Sequence, residues 1–339
     1  MIPKSRDASR PEAVQPITVA FLGDVMLAGR ASERITAGAP VFASDVLQVL
    51  GTADQVVVNL ECCLTRSDVR WSDAGKKFFF RAPPEAAKVL ADAGVGVASL
   101  ANNHSLDFGV RGLTDTITAL TDAGIEPVGA GTDARRAQAP IVLDVHGRRL
   151  GVVAVTDHPV EFAAGPDRPG VAYADLSSGV PSWLLQQVRA LAGHVDISIV
   201  TPHWGPNFLP TPRASVVRAA AELIAAGATI VAGHSAHVMQ PVRPRVLYDL
   251  GDAINDYPPH PLHRADLGAV WLVGFPADDA PEFRAIPTVV RDGQMEFASG
   301  SDRRFTVNRL TALCMSTGAH VDDRDGELHF SFVGPEQPT

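Results

Sequence analysis

Ser99-Leu100-Ala101-Asn102-Asn103-His104-Ser105-Leu106-Asp107-Phe108-Gly109 ends a small-apolar run at 94–100 and precedes a helical pattern that begins near Leu113. The run predicts a buried strand, so the polar residues fall where a strand hands over to a helix, the place where α/β sheets carry their chemistry. Two amides, an imidazole and a carboxylate directly after a core strand are costly to bury alone. A metal ion or a substrate is the expected partner.

The same unit recurs on both sides. Residues 17–22 (Ile-Thr-Val-Ala-Phe-Leu) predict a strand ending at Gly23-Asp24, and 55–60 (Gln-Val-Val-Val-Asn-Leu) a second, closing on Asn59 and Glu61, with a helix at 41–50 between them. Residues 25–30 suit a loop or a helix start. Pro83-Pro84 opens a helix that runs to 93, and a helix at 113–123 stops at Gly124. The runs 141–145 and 149–155 form a hairpin about His146-Gly147, and 161–177 is a long loop.

Strands at 149–155, 196–200, 229–232 and 246–250 deliver in turn Thr156-Asp157-His158, His203-Trp204-Gly205, Gly233-His234-Ser235-Ala236-His237 and Gly251-Asp252. Helices are expected at 183–192 and 215–226. A late antiparallel set (269–275, 283–290, 294–297) and a short helix at 308–316 close the chain. Singly, each tip has a modest explanation: a helix cap for Asp24, a turn for Asn102 and Asn103, a structural imidazole for each histidine. Parallel strands alternating with helices put their carboxyl ends along one edge, so the tips are expected to converge on one pocket.

The 339 residues, 46% apolar and 20% charged, suffice for a large core. The expected organisation is a flexible N-terminus at 1–16, one catalytic domain at 17–330 and a flexible tail at 331–339. A net charge of -9 provides no basic field for nucleic acid or an anionic membrane, whereas acids gathered in a cleft favour a cation. Cys62, Cys63 and Cys314 have neither disulfide-framework nor zinc spacing, which suits a reducing compartment. The leader lacks a basic stretch followed by a long apolar one, and no apolar segment reaches the roughly 18 residues that span a bilayer. A cytoplasmic protein without nucleic-acid or membrane partners is expected; the oligomeric state is left open.

Gly-His-x-x-His directly after a strand differs from the i, i+4 pair of a helical zinc protease. Oxygen and imidazole groups together suit a divalent cation; mixed ligation favours Zn, Mn or Fe, and a shell of carboxylate, amide and water favours Ca.

In order along the chain, Gly23-Asp24-Val25-Met26, Asn59-Leu60-Glu61, Asn103-His104-Ser105-Leu106-Asp107-Phe108-Gly109, His203-Trp204-Gly205, Gly233-His234-Ser235-Ala236-His237-Val238 and Tyr248-Asp249-Leu250-Gly251-Asp252 resemble the CapA-type family of capsule and poly-γ-glutamate synthesis. That family belongs to the calcineurin-like metallophosphoesterase superfamily. The resemblance covers about 17–275 and implies an α/β fold, a four-layer α-β-β-α sandwich with its site at the strand ends. It also implies that Asp24, Glu61, Asn103 and His203 contact a cation.

Three departures from the superfamily stand out. Met26 occupies a ligand histidine's place, Asn59 and Glu61 stand where a bridging Asp is usual, and the final Gly-His-x-His is one residue longer. A bridged two-metal clamp stabilises in-line phosphoryl displacement, so its partial loss points to one cation and no organic cofactor. What remains suits proton transfer: His104, His234 and His237 as acid/base groups, with Asp107, Asp157 and Asp252 as orienting carboxylates.

CapA-like proteins also include lasso-peptide epimerases. The resemblance to them implies inversion of the Cα centre at the C-terminal residue of a ribosomal precursor peptide. Lys76, Lys77 and Arg81, beside Phe78 to Phe80, are candidates to receive a peptide carboxylate and an apolar side chain, with Trp204 a further contact; a solvated rim over core phenylalanines is the other reading. Cys62 and Cys63 are packing residues or the thiols of a two-thiol racemase. The alternatives to the epimerase are a metal-dependent phosphoesterase and a non-catalytic accessory subunit of polymer synthesis.

Overall fold

The computed structural model describes residues 15–72, 75–257, 260–277 and 280–332. Of the flexible segments expected at 1–16 and 331–339, residues 1–14 and 333–339 lie outside the described residues.

Ile17–Val25 is apolar along its length because both of its faces are covered. Val19 and Phe21 meet Val152, Ile199 and Ile230 of a second sheet. The alternate residues Ala20 and Leu22 meet Val46, Leu90 and Leu113 of the helices Ser44–Leu50, Ala86–Asp92 and Gly109–Asp122. On the outer face of the second sheet, Val153, Val200 and Val231 pack with Leu184 and Val188 of Ser182–Ala192 and Leu223 of Ala214–Ala225. The layers are therefore helix, sheet, sheet, helix, the four-layer sandwich expected. Each fully buried Val, Leu or Ile adds about 1.5–3 kcal/mol to this assembly.

The first sheet has ten strands. Ile17–Val25 runs parallel to Gln55–Leu60, which pairs in parallel with Val95–Ser99, and antiparallel to Leu267–Phe275. The second has six, with Arg148–Thr156, Ile197–His203 and Ile230–Ala232 parallel and adjacent. Ile141–Val145 and Arg148–Thr156 form the expected hairpin.

One departure places the site. The run at 246–250 is not a single strand: Val246–Leu247 belongs to the second sheet, and the chain then crosses to the first, where Asp252–Ile254 pairs in parallel with Ile17–Val25 and sets Asp252 opposite Asp24. The crossing requires glycine. A Cβ on Gly23 would lie 1.7 Å from the Gly251 carbonyl oxygen, the group that accepts the Asp24 N–H at 2.9 Å.

Other differences are local. The helix Gly29–Thr36 buries only Ala31, so it shows no apolar period at 25–30. The helix expected at 41–50 starts at Ser44, because Phe42 instead bridges to Met295. The last helix begins at Gly300, ahead of 308, its buried stripe Thr306, Leu310 and Cys314 being set among charges. It is followed by the hairpin Ala319–Arg324 and Glu327–Phe332, which takes 331 and 332 out of the expected tail. Within 161–177, Gly170–Val171 pairs with Ala130–Gly131.

Candidate metal centre

The tips of both sheets meet. From the first come Asp24, Asn59, Glu61, His104 and Asp252; from the second come His203, His234 and His237, with a bridge between His203 and His234. All eight are at most 4% exposed. Gly233 permits the approach, since a Cβ there would lie 2.1 Å from the Tyr248 oxygen.

Asp24 is the hub. Its Oδ1 accepts from Asn59 Nδ2 at 2.8 Å and lies 3.1 Å from His234 Nδ1; its Oδ2 lies 3.1 Å from His237 Nδ1 and accepts from the Ser235 N–H at 3.3 Å. Burial alone would raise this carboxyl, but the hydrogen bonds and charges of His234 and His237 hold it well below its usual range. Asn59 also reaches His203 Nδ1 at 3.3 Å and accepts from Asn102 Nδ2 at 3.0 Å, so Asn102 is a brace within the network.

The carboxylate pairing is explicit. His104 Nδ1 lies 2.7 Å from Asp107 Oδ2, which turns its Nε2 towards Glu61 Oε1 at 3.8 Å. His237 Nδ1 lies 2.9 Å from Asp252 Oδ1, and Asn255 Nδ2 donates to Asp252 Oδ2 at 2.7 Å. Burial pulls His104 and His203 down. It acts the same way on His237, but the charges of Asp252 and Glu61, with hydrogen bonds donated to Asp24 and Asp252, carry this imidazole well above its ordinary value.

Both oxygens of Glu61, His203 Nε2 and Asn103 Oδ1 are buried and have no hydrogen-bond partner among the described residues. Burial and the charge of Asp24 push Glu61 far above the usual carboxylate range, and burial lifts Asp252 to about 7. Uncompensated acids in a dry pocket cost several kcal/mol each, so this donor set fits a divalent cation. Two sets bring ligand atoms within 4.8 Å of one another, Asp24 with Glu61 and His203, and Asp24 with His237 and Asp252. His237 and Asp252, read from sequence as an acid/base group and its orienting carboxylate, thus stand among the groups that could hold an ion.

Several candidates are engaged by other protein groups or stand apart from the histidines. Trp204 is 2% exposed and donates its indole N–H to the Tyr248 carbonyl at 2.9 Å, so it braces the core and meets no ligand. Lys76 is committed inward, 2.9 Å from Asp107 Oδ1 and donating to the Asn103 carbonyl at 2.8 Å. Arg81 pairs with Asp68 at 2.6 Å and covers the Phe108 ring. Lys77 is exposed on the same loop. Asp157 pairs with His158 and accepts from the Gly205 N–H at 3.0 Å, so the imidazole it orients is that of His158.

Cys62 and Cys63 are fully buried, Cys63 Sγ donates to the His104 and Ser105 carbonyls, and burial pushes its thiol up to about 12. These thiols are packing residues and not the pair of a racemase.

Four groups at the centre were given no role by the sequence reading. His158, whose ring lies 5.2 Å from that of His203, was signalled by its place after Asp157. Asp249 accepts the Ala236 and Gly251 N–H groups at 2.7 and 2.9 Å and fixes the crossing loop. Tyr257 and Phe208 face His237 with ring centroids 5.4 and 5.7 Å away, and no local pattern marks them. Phe80 lies 4.4 Å from His104, which gives one of the three phenylalanines a place at the pocket wall.

An α-β-β-α sandwich whose facing strand tips gather acids, imidazoles and an asparagine about a buried centre defines the calcineurin-like class. Within that class the chain belongs to the family of the bacterial capsule synthesis protein PGA_cap, whose family model matches residues 18–257. A probable polyglutamine synthesis accessory protein of Mycobacterium tuberculosis is 34% identical over 295 residues, covering 81% of this chain and 76% of that one. The PGA biosynthesis protein CapA of Bacillus subtilis is 30% identical over 248 residues, with 71% and 63% covered. A solved structure of a hypothetical protein from Thermus thermophilus overlays with a TM-score of 0.43 at 15% identity, covering 83% of this chain and 96% of that one. Among the described residues no helix is long and apolar enough to cross a membrane.

Proposed function

We infer that this chain is an accessory protein in the synthesis of a polyglutamate-type polymer, and that it holds the acidic chain at a divalent cation seated between Asp24, Glu61, His203, His237 and Asp252. The observation that carries the reading is the orphaned Glu61 carboxylate, buried beside Asp24 and Asp252 with neither oxygen hydrogen-bonded among the described residues. The relatives, a probable polyglutamine synthesis accessory protein and a PGA biosynthesis protein, support the polymer role, and a centre suited to a cation favours the acidic polymer. A bound cation supplies an electrophile able to take a carboxylate or polarise a carbonyl. His104, fixed by Asp107, presents Nε2 to the same space, and Phe80 keeps water from it. Deleting the gene in its host is expected to abolish the extracted polymer, with restoration by the wild-type gene and not by one encoding Glu61→Gln. Normal polymer in the deletion strain would refute the reading.

A second reading, inversion of a peptide Cα, is favoured by two imidazoles that each carry their own carboxylate, His104 with Asp107 and His158 with Asp157, near the central His203. One base would remove the Cα proton and the other acid would return one. Incubating the metal-loaded protein with a γ-linked glutamate oligomer in heavy water is then expected to place deuterium at inverted centres. Oligomer recovered unlabelled and uninverted would dismiss this chemistry for that substrate.

A further inference from the structure

Phe208 has two neighbours of interest. One side of its ring faces His237 at the metal centre, and the ring also meets His263 at 5.1 Å. Beyond it lies a cavity of about 360 Å³ lined by Phe208, Pro210, Leu262, His263, Phe305 and Arg309. Leu262 is 76% exposed beside it.

Arg309, on the helix Gly300–Met315, is the fixed charge of this otherwise apolar or aromatic lining. It is half-buried, donates one N–H to the His263 carbonyl at 2.8 Å, and pairs with no carboxylate among the described residues. The neighbouring Arg264 shows the usual alternative, since it pairs with both Asp266 and Asp302 at 2.8 Å while lying over the Phe305 ring. A guanidinium drawn partly out of water without an acid favours an anion from outside, and its planar donors match a carboxylate. The apolar walls select a carboxylate carried on hydrocarbon over a free inorganic anion.

We propose that this cavity is a subsite for a carboxylate flanked by methylene groups, borne by a residue adjoining the one held at the metal centre. In a γ-linked glutamyl chain that group is the free α-carboxylate of the adjoining unit, set beside the methylenes of the chain, so Arg309 reads the neighbouring unit while Phe208 separates the two positions. The identity of the chain rests on the proposed polymer role; the requirement for a carboxylate rests on Arg309 alone.

Calorimetric titration of the full, metal-loaded chain tests this with three probes: hexa-γ-glutamate, its fully esterified form, and hexanoate. Arg309→Gln is expected to weaken hexa-γ-glutamate binding roughly tenfold, with bound metal unchanged and with the ester binding wild type and variant equally poorly. Arg309→Lys, which keeps the charge, is expected to recover part of the loss and guards against a folding artefact. Equal affinity of wild type and Arg309→Gln for the oligomer would overturn the subsite and leave the polymer role standing. Hexanoate binding that depends on Arg309, with no oligomer binding, would keep the subsite and overturn the polymer role. No binding of any probe to the wild type would overturn both.

Discussion

Asp24→Asn is expected to strip the protein of its cation, with affinity falling at least ~100-fold, and to destabilise the chain as well. Asp24 belongs to both candidate ligand sets, so its charge is lost from each. The amide is nearly isosteric, but all four contacts of the Asp24 oxygens are with nitrogen groups: Asn59 Nδ2, His234 Nδ1, the Ser235 N–H and His237 Nδ1. An NH₂ must then face at least one donor, and the raised imidazole of His237 loses one of the carboxylates that keep it charged. Removing one partner from such a buried set costs about 3–5 kcal/mol. Metal analysis after dialysis, with calorimetric melting, would show both losses. A variant with wild-type metal content would mean that the cation is held elsewhere.

The importance of Asp24 was legible from its place at a strand tip, and so was the convergence of His104, His203 and His237. Strand, polar tip and helix is a short-range pattern, and parallel pairing then gathers the tips without further instruction. The pairing of each His with its Asp was less legible. His104 and Asp107 are three residues apart and could be matched locally, whereas His237 and Asp252 meet only because the chain changes sheets at 248–251, a step set by the close contact of Gly23 with Gly251. Periodicity carries no signal for such a crossing. The partners of the substrate-side candidates were illegible for a related reason. Lys76, Arg81 and Trp204 have ligand-like chemistry, but each is satisfied by a partner distant in sequence: Asp107, Asp68 and the Tyr248 carbonyl. Residue type reveals what a group can do, and only the fold reveals what it already does. The helix Gly29–Thr36 stayed one of two readings for 25–30 because one buried residue makes no stripe.

Chelation supplies the sharper test, because the metal-free pocket has an unusual dependence on pH. Freed of its cation, the protein is expected to lose stability between about pH 6.5 and 8, while the loaded form stays nearly flat there. Burial raises Glu61 well above the usual carboxylate range and Asp252 to about 7, so the folded state binds these protons more tightly than the unfolded chain. Their stabilisation is complete below the unfolded carboxylate values and disappears as pH climbs through the folded ones. His237, raised above its ordinary value by the charges around it against the cost of burial, contributes fully below about 6.5 and less above it. His104 and His203, lowered by burial, act in the opposite sense, but only where the unfolded imidazole is protonated, below about 6.5. Asp24, held low, matters only in acid. Above pH ~6.5 every remaining contribution therefore falls, at about 1.4 kcal/mol per pH unit for each proton released, for a net loss on the order of 1–3 kcal/mol. A cation takes the place of the same protons, so loading should release protons and remove the slope. Melting curves in chelator and in excess Mn or Ca across this range would show it, and Glu61→Gln should make the metal-free slope shallower by removing one of its acids. A metal-free protein that gains stability towards pH 8 would mean that Glu61 and Asp252 are not the acids the cation replaces.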